Sequence, residues 1–314
     1  YSSILYPILN AEAVVEVRLP PTALGVQALD DATLEIHLSG PTPYFLGLLT
    51  HSGAYPVHRP SVERYGEKFA RPGNLVSNGA YRLEEWVIQS HIRLLRNRYY
   101  RDDAHTSIDE VWYYPIENDD AEVNRYRADE LDMTEGVPFR QVRWLREQLP
   151  GELRIAPYLG TYYFGCNNTR PPFRDNLPLR LALSMAVDRD ILTQRVMGTG
   201  EQPAWGFVPP VVNYSGQRPA WADWTQEQRN AEARRLYHEA GYSEQHPLEV
   251  ELLYNTDQNH KRLAGALAAM WKPTPRVLTK LLNQEWQVFL STRKRRVRTQ
   301  AFRSGRTGVY NAAS

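Results

Sequence analysis

The chain has 314 residues, a net charge of +1, 42% apolar and 23% charged residues, and one cysteine. Such a length suits about two domains, and no stretch approaches the roughly 18 consecutive apolar residues of a membrane-spanning helix. The lone Cys166 excludes an internal disulfide and any multi-cysteine metal site. The near-zero charge hides an uneven distribution: from Asp257 onward 12 Lys and Arg stand against 2 Asp and Glu, a basic tail on an acidic body. The opening YSSILYPILNAEAV has neither the basic start nor the cleavage pattern of a signal peptide. A secreted protein is therefore expected here in processed or truncated form.

In chain order, Thr33–Leu38 alternates as a half-buried strand after a turn at Leu29–Ala32, and Tyr44–Leu49 reads as a short helical run. Ser61 is placed to cap a helix that Arg71-Pro-Gly73 ends. Ser77–Ala80 is a tight turn into strands 80–87 and 91–98, with a third strand at 108–116. Asp119 or Asp120 opens a helix through Val123 and Tyr126, Leu131–Met133 reads as a short strand, Pro138 starts another helix, and Leu153–Tyr158 reads as a strand. Strand–helix alternation of this kind predicts an α/β lobe.

A strand at Thr161–Cys166 follows. Leu179, Ala182, Leu183, Ala186 and Val187 then fall on one helical face, with Pro178 in the first turn. Asp188 caps a second helix that Gly198 and Gly200 stop. After a loop from Gln202 to Trp224, Thr225 and Gln228 spell a capping box, and Gly241 follows the last turn. Leu248, Val250, Leu252 and Tyr254 alternate with Glu249 and Glu251 as a strand with one wet face. A helix through Leu263, Leu267 and Met270, a strand at Val277–Leu282, and a helix capped by Asn283 complete the pattern.

Catalytic signatures are missing from the sequence: no HExxH, GxSxG, Walker loop or GxGxxG occurs. The eight histidines have no metal-ligand spacing. Asp102-Asp103 and Asp119-Asp120 suit turns and caps better than catalysis, His260 suits a solvated helix start, and Cys166 suits a small packed residue. The run Lys294–Arg298 suits a solvated helix end, where cations complement the dipole. One turn of charge without an aromatic platform is poor material for nucleic-acid binding.

Paired tyrosines on a strand, then PPF and LRLALSMAVDRD, closely resemble the peptide-binding receptors of bacterial ABC importers. The likeness continues through LGVQALDDATLEIHLSGPTPYF, PGNLVSNGAYRLEEW, VNRYRADELDMT, QPAWGFVPP and LLYNTDQNHKRLA, followed by AAMW and NQEW. It implies an α/β, two-lobed, type II periplasmic binding-protein clamp of the peptide-receptor class, present as a fragment lacking its N- and C-terminal parts. Residues 1–55 would be a remnant of a small accessory lobe, 56–159 a large α/β lobe, and 160–314 a second α/β lobe cut at its end. It also implies a non-enzymatic, monomeric, cofactor-free receptor in the periplasm or lipid-anchored at the cell surface. Such a receptor binds an extended oligopeptide by main-chain pairing and delivers it to permease subunits in the inner membrane.

By position, the resemblance puts Thr161, Tyr162 and Tyr163 on the hinge-proximal strand beside the ligand and Trp286 in a pocket wall. Arg293 and Arg303 would line the pocket, Arg303 pairing a carboxylate, while His260 meets a peptide carboxylate. Ser304, Gly305, Arg306, Thr307 and Gly308 would offer backbone. The family usually reads R-x-G-W-x-x-D-Y-N here; this chain has Arg306 for the Trp and Val309 for the Asp that holds the peptide's amino group. An ammonium buried beside valine would lose about 3–5 kcal/mol, or roughly two to three decades of affinity. A drifted receptor, a different ligand and a misread sequence at that end all account for the change. Receptors of the same scaffold for a dipeptide, nickel, haem or a sugar fragment, and a basic-tailed nucleic-acid-binding protein, stand as alternatives.

Overall fold

The computed structural model describes residues 2–156, 158–210, 214–296 and 299–308. The chain divides into two compact units, Tyr1–Pro115 and Ile116–Ser314.

In the first unit, helix α1 (Ala11–Val15) precedes an antiparallel hairpin of β1 (Val26–Ala28) and β2 (Leu34–Ile36), closed by the turn at Asp30. Helix α2 (Phe45–Leu48) buries Phe45 and Leu48, and Ile8 and Ala11 are buried in the same unit. The cap position of helix α3 (Arg59–Tyr65) is His58; Ser61 lies inside the helix, its hydroxyl 2.8 Å from His58 Nδ1, so the expected Ser61 cap is corrected. Strands β3 (Tyr81–Val87), β4 (His91–Arg96) and β5 (Glu110–Tyr113) form an antiparallel meander in that order. Only Ile88–Ser90 joins β3 to β4, far too little chain for a parallel crossover, which needs a dozen or more residues. The helix and the three strands expected between residues 61 and 116 are all present, the strands pairing as an antiparallel meander. Asn97 pins the predicted turn before β3, donating to the carbonyls of Ser77 and Gly79 at 3.1 and 2.9 Å.

The second unit opens with α4 (Asp119–Arg127) and α5 (Val142–Gln148). Asn118, not an aspartate, caps α4, accepting from the amides of Asp120 and Ala121. Leu131–Met133 and the described part of 153–158 form no strand: both stretches are short and neither finds a pairing partner. Then follow β6 (Gly160–Cys166), α6 (Leu177–Met185), α7 (Arg189–Ile191), a π-helical turn (Leu192–Met197), α8 (Gln226–Glu239), β7 (Glu249–Asn255), α9 (Gln258–Trp271), β8 (Leu278–Gln284), α10 (Trp286–Arg295) and β9 (Ala301–Thr307). Asp188 caps α7 through the Ile191 amide at 2.9 Å, and the Thr225–Gln228 capping box opens α8, both as the sequence predicts. Glu285 replaces Asn283 as the cap of α10, because β8 runs on through Gln284.

The sheet order is β6-β9-β7-β8, with β6 antiparallel to β9 and the other pairs parallel. Leu252, Tyr254 and Ala301 face a core shared with Leu179 and Leu183 of α6, Tyr237 of α8, and Ala264, Leu267 and Trp271 of α9. Buried Leu253 and Phe289 of α10 lie outside that core, so α10 covers the opposite face. The chain crosses from β7 to β8 through α9, then back past β7 to β9 through α10. Reversing direction with right-handed crossovers sends the two helices to opposite faces.

The division at Pro115–Ile116 groups residues 116–156 with the later strands, whereas the sequence suggests a boundary at 159–160. Asn259 at the start of α9 is one physical reason. It donates to Asp119 Oδ2 at 2.9 Å and to the Val137 carbonyl, and accepts from the Phe139 amide at 3.1 Å.

Candidate ligand site at the carboxyl ends of the sheet

Where neighbouring parallel strands send their outgoing helices to opposite faces, a crevice opens beyond their carboxyl ends, and ligands of α/β proteins bind there. In this sheet those ends are Asn255 of β7, Gln284 of β8 and Thr307 of β9. Residues 255–260, 284–286 and 303–307 all belong to that rim.

Register places the side chains. Tyr162 pairs with Gly305 and Phe164 with Arg303, so these share a face. The Arg303 guanidinium lies over the Tyr162 ring at 4.8 Å and donates to Asn255 Oδ1 at 3.2 Å. His260, in the first turn of α9, stands 5.8 Å from the same ring. Its side chain is only 16% exposed, which replaces the expected solvated helix start with a packed position. Burial first, then the Arg303 charge, push the His260 imidazole down to about 4, with Asp257 opposing. Burial likewise pushes the Tyr162 hydroxyl up to about 12. Three buried polar atoms here, Tyr162 Oη, His260 Nδ1 and Arg303 Nε, make no hydrogen bond among the described residues. His260 Nδ1 is 3.6 Å from Asp257 Oδ1, and that carboxylate is already used in capping α9.

The other face carries Thr161, Tyr163, Ser304 and Arg306. Arg293 reaches across from α10 to buried Ser304 Oγ at 2.6 Å. Trp286 stacks on Phe289 with ring centres 5.8 Å apart and remains 41% exposed, more than plain core packing requires. Tyr163 meets Phe207 of the long loop edge-on at 5.1 Å, and Tyr158 lies 3.2 Å from the Thr307 hydroxyl. Arg306 is exposed. Lys294 and Arg295 are solvated, as the charge run predicts, while Val297, Arg298 and Val309 lie outside the described residues.

The backbone of β9 divides its bonds. The Asn167 amide donates to Gln300 and the Gly308 amide to Leu159, which fixes the parity: Phe302, Ser304 and Arg306 turn their N–H and C=O toward β6. Of the expected backbone donors, Ser304 and Arg306 are therefore already engaged. On the other edge, β7 pairs only with Ala301 and Phe302. Beyond them, Gly305 and Thr307 face an edge with no strand partner among the described residues.

Sequence reasoning missed Asn255, which orients Arg303, and Arg189, which holds the long loop. Arg189 stacks on Trp205 at 4.7 Å and Trp221 at 5.4 Å, and donates to the Ala204 carbonyl at 3.1 Å. Burial, with Arg229 nearby, lowers it to about 10. A depression of about 480 Å³ beside this cluster is lined by Asp188, Arg195, Trp205, Arg218 and Arg229, and by none of the predicted ligand residues. Arg229 there is spent on carbonyls and Gln226, and Arg218 on Asp223. Among the described residues no group of three or more His, Cys, Asp and Glu could hold a metal ion, and no helix is long and apolar enough to cross a membrane.

The chain is similar to several known proteins. The chain is 44% identical over 288 residues to the periplasmic oligopeptide-binding protein OppA of Escherichia coli, covering 91% of this chain and 53% of that protein. It is 39% identical over 308 residues to the periplasmic murein peptide-binding protein MppA of the same organism, covering 98% and 57%. The chain therefore spans about half the length of the curated relatives it matches. Among solved structures, the murein tripeptide-binding protein MppA of Escherichia coli superposes with a TM-score of 0.92 at 39% identity, over 98% of this chain and 60% of that one. Haemophilus influenzae OppA in complex with RPPGFSPFR gives 0.91 at 38%, over 100% and 62%. These likenesses carry the two-lobed α/β receptor fold expected from the sequence. With residues 3–314 matching the family model described as Bacterial extracellular solute-binding proteins, family 5 Middle, the chain belongs to that family.

Proposed function

We propose that the protein containing this chain is a non-enzymatic receptor that captures oligopeptides and hands them to the permease of an ABC importer in the inner membrane. The observation that carries this reading is the edge of β9 at Gly305 and Thr307, which has no strand partner among the described residues, set beside three buried polar atoms that find no hydrogen-bond partner among those residues. An unpaired strand edge takes an extended chain by main-chain bonds, indifferent to side-chain identity. An orphaned guanidinium N–H and a phenol hydroxyl suit a carboxylate, which accepts several such donors. The names of the relatives, periplasmic binders of oligopeptides and of a murein peptide, support the same assignment and a periplasmic location. Thr161, Tyr162, Tyr163, His260, Trp286, Arg293, Arg303 and Ser304–Thr307 are the assigned ligand residues, and Val309 is retained from the sequence. For the whole protein the assignment keeps 1–55 in an accessory lobe, 56–159 in a large lobe and 160–314 in a second lobe, acting as a monomer.

Thermal unfolding tests the reading. Peptides of two to five residues are expected to raise the melting temperature of the full-length protein, because a ligand bound only to the native state stabilises it by RT ln(1 + [L]/Kd). Free amino acids are expected to leave it unchanged. No shift with a random peptide library would sink the proposal.

A further inference from the structure

Which peptides the β9 edge prefers can be argued from the charges flanking it; the argument rests on the peptide-receptor reading above. A chain laid along an open strand edge turns successive side chains to opposite faces of the sheet. On one face it meets Arg303 above Tyr162. On the other it meets Arg306, exposed on the strand itself, and Arg293, reached from α10, whose last turn adds Lys294 and Arg295. Cations therefore flank both faces of one strand edge.

Their counter-charges are few and committed elsewhere. Asp257 accepts from the His260 amide at 2.8 Å as the cap of α9. Glu285 accepts from the amides of Gln287 and Val288 as the cap of α10. Asp119, on the same side as Asp257, accepts from Asn259, and burial raises its carboxyl toward the neutral form. Among the described residues no carboxylate lies within ion-pair distance of Arg293, Lys294, Arg295, Arg303 or Arg306. We infer that this site selects acidic peptides, with Asp or Glu side chains reaching Arg303 on one face and Arg306 and Arg293 on the other.

The test is calorimetric titration of the full-length protein with Ala-Ala-Ala-Ala, Ala-Glu-Glu-Ala and Ala-Lys-Lys-Ala, whose adjacent charges sample both faces. Exposed ion pairs are individually weak, but a Glu-to-Lys swap reverses their sign, so about tenfold or more between the two charged peptides is expected at low salt. Raising salt to about 0.5 M should collapse the ratio to about threefold or less, because screening weakens attraction and repulsion alike. Arg306→Gln should narrow the low-salt ratio by about threefold, whereas Arg306→Lys, keeping the charge, should retain it. Binding of all three peptides with a Glu-to-Lys ratio near one overturns the acidic preference and leaves the peptide-receptor reading standing. Binding of none of them overturns both.

Discussion

At the scale of single residues, His260 ties the site's electrostatics to stability. Its imidazole is held down to about 4 by burial and by Arg303, against about 6.5 in an unfolded chain. Between those values the unfolded chain binds a proton that the native protein refuses, so stability must fall as pH drops through that window and level off below it. About 2–3 kcal/mol is at stake, and His260→Asn should flatten that part of the profile in urea unfolding measured from pH 7 to 4. A bound carboxylate pulls the other way, so peptide binding near pH 5 should take up a proton, visible as buffer-dependent binding heat. Arg303→Lys makes a second case: an ammonium can neither fork onto a carboxylate nor lie flat over Tyr162 while holding Asn255. Peptide affinity should drop about 10–100-fold, with melting of the free protein changing much less. The caps at Asp188 and Thr225 are legible in sequence because their bonds close within three residues. His260 is not, since the groups that bury it arrive on strands from distant parts of the chain and local polarity says only that a helix begins.

Elements obey the same division between local and distant causes. Helices α6 and α9 and strand β7 are readable from apolar spacing because each buries one stripe in a shared core, and α8 is readable from its capping box. Short apolar runs such as Leu131–Met133 carry the same pattern without a partner strand, and pattern alone cannot supply one. The peculiarity of β9, bonded to β6 along its length and to β7 only at its start, is a register property that no one strand encodes. It makes a sharp prediction for hydrogen exchange. A peptide on the open edge should slow exchange at the Gly305 and Thr307 amides and leave those of Ser304 and Arg306, already turned to β6, nearly unchanged. A uniform change along the strand would contradict edge pairing. The β6–β9 pair is itself sensitive at Gly165, where a Cβ would lie 2.6 Å from the Phe302 ring. Overpacking of that kind typically costs about 1–3 kcal/mol, so Gly165→Ala should lower the melting temperature. Since the clash is with one ring, Phe302→Leu should recover part of the loss, and a double-mutant cycle should return a clear coupling energy.

For the whole molecule the question is how residues 116–156 are held to the strands that follow. Sequence likeness draws a lobe boundary after residue 159, and nothing in local periodicity reveals that an asparagine on α9 bonds Asp119, Val137 and Phe139 together. These bonds hold residues 119–139 to the first turn of α9 within the compact unit Ile116–Ser314; on the lobe assignment proposed above, the same bonds would tie the clamp when it shuts. Asn259→Ala should then cost about 1 kcal/mol, the low end of the loss for polar groups left unpaired, because Asn259 and its partners are only part-buried. It should also speed exchange of the Phe139 amide and shorten the residence of bound peptide, because a closed clamp with fewer ties reopens sooner. Asn259→Asp separates electrostatics from packing. It sets a third carboxylate beside Asp257 and Asp119, whose carboxyl is already raised by burial and by Asp257. A carboxyl with a raised native value favours the folded state as pH falls, since the native protein then binds the extra proton. The aspartate variant should therefore be weaker than the alanine variant at pH 7 and draw level or pass it as pH approaches 4–5. Parallel pH profiles for the two would mean that Asn259 is a packing residue of one rigid unit, with no part in closing the clamp.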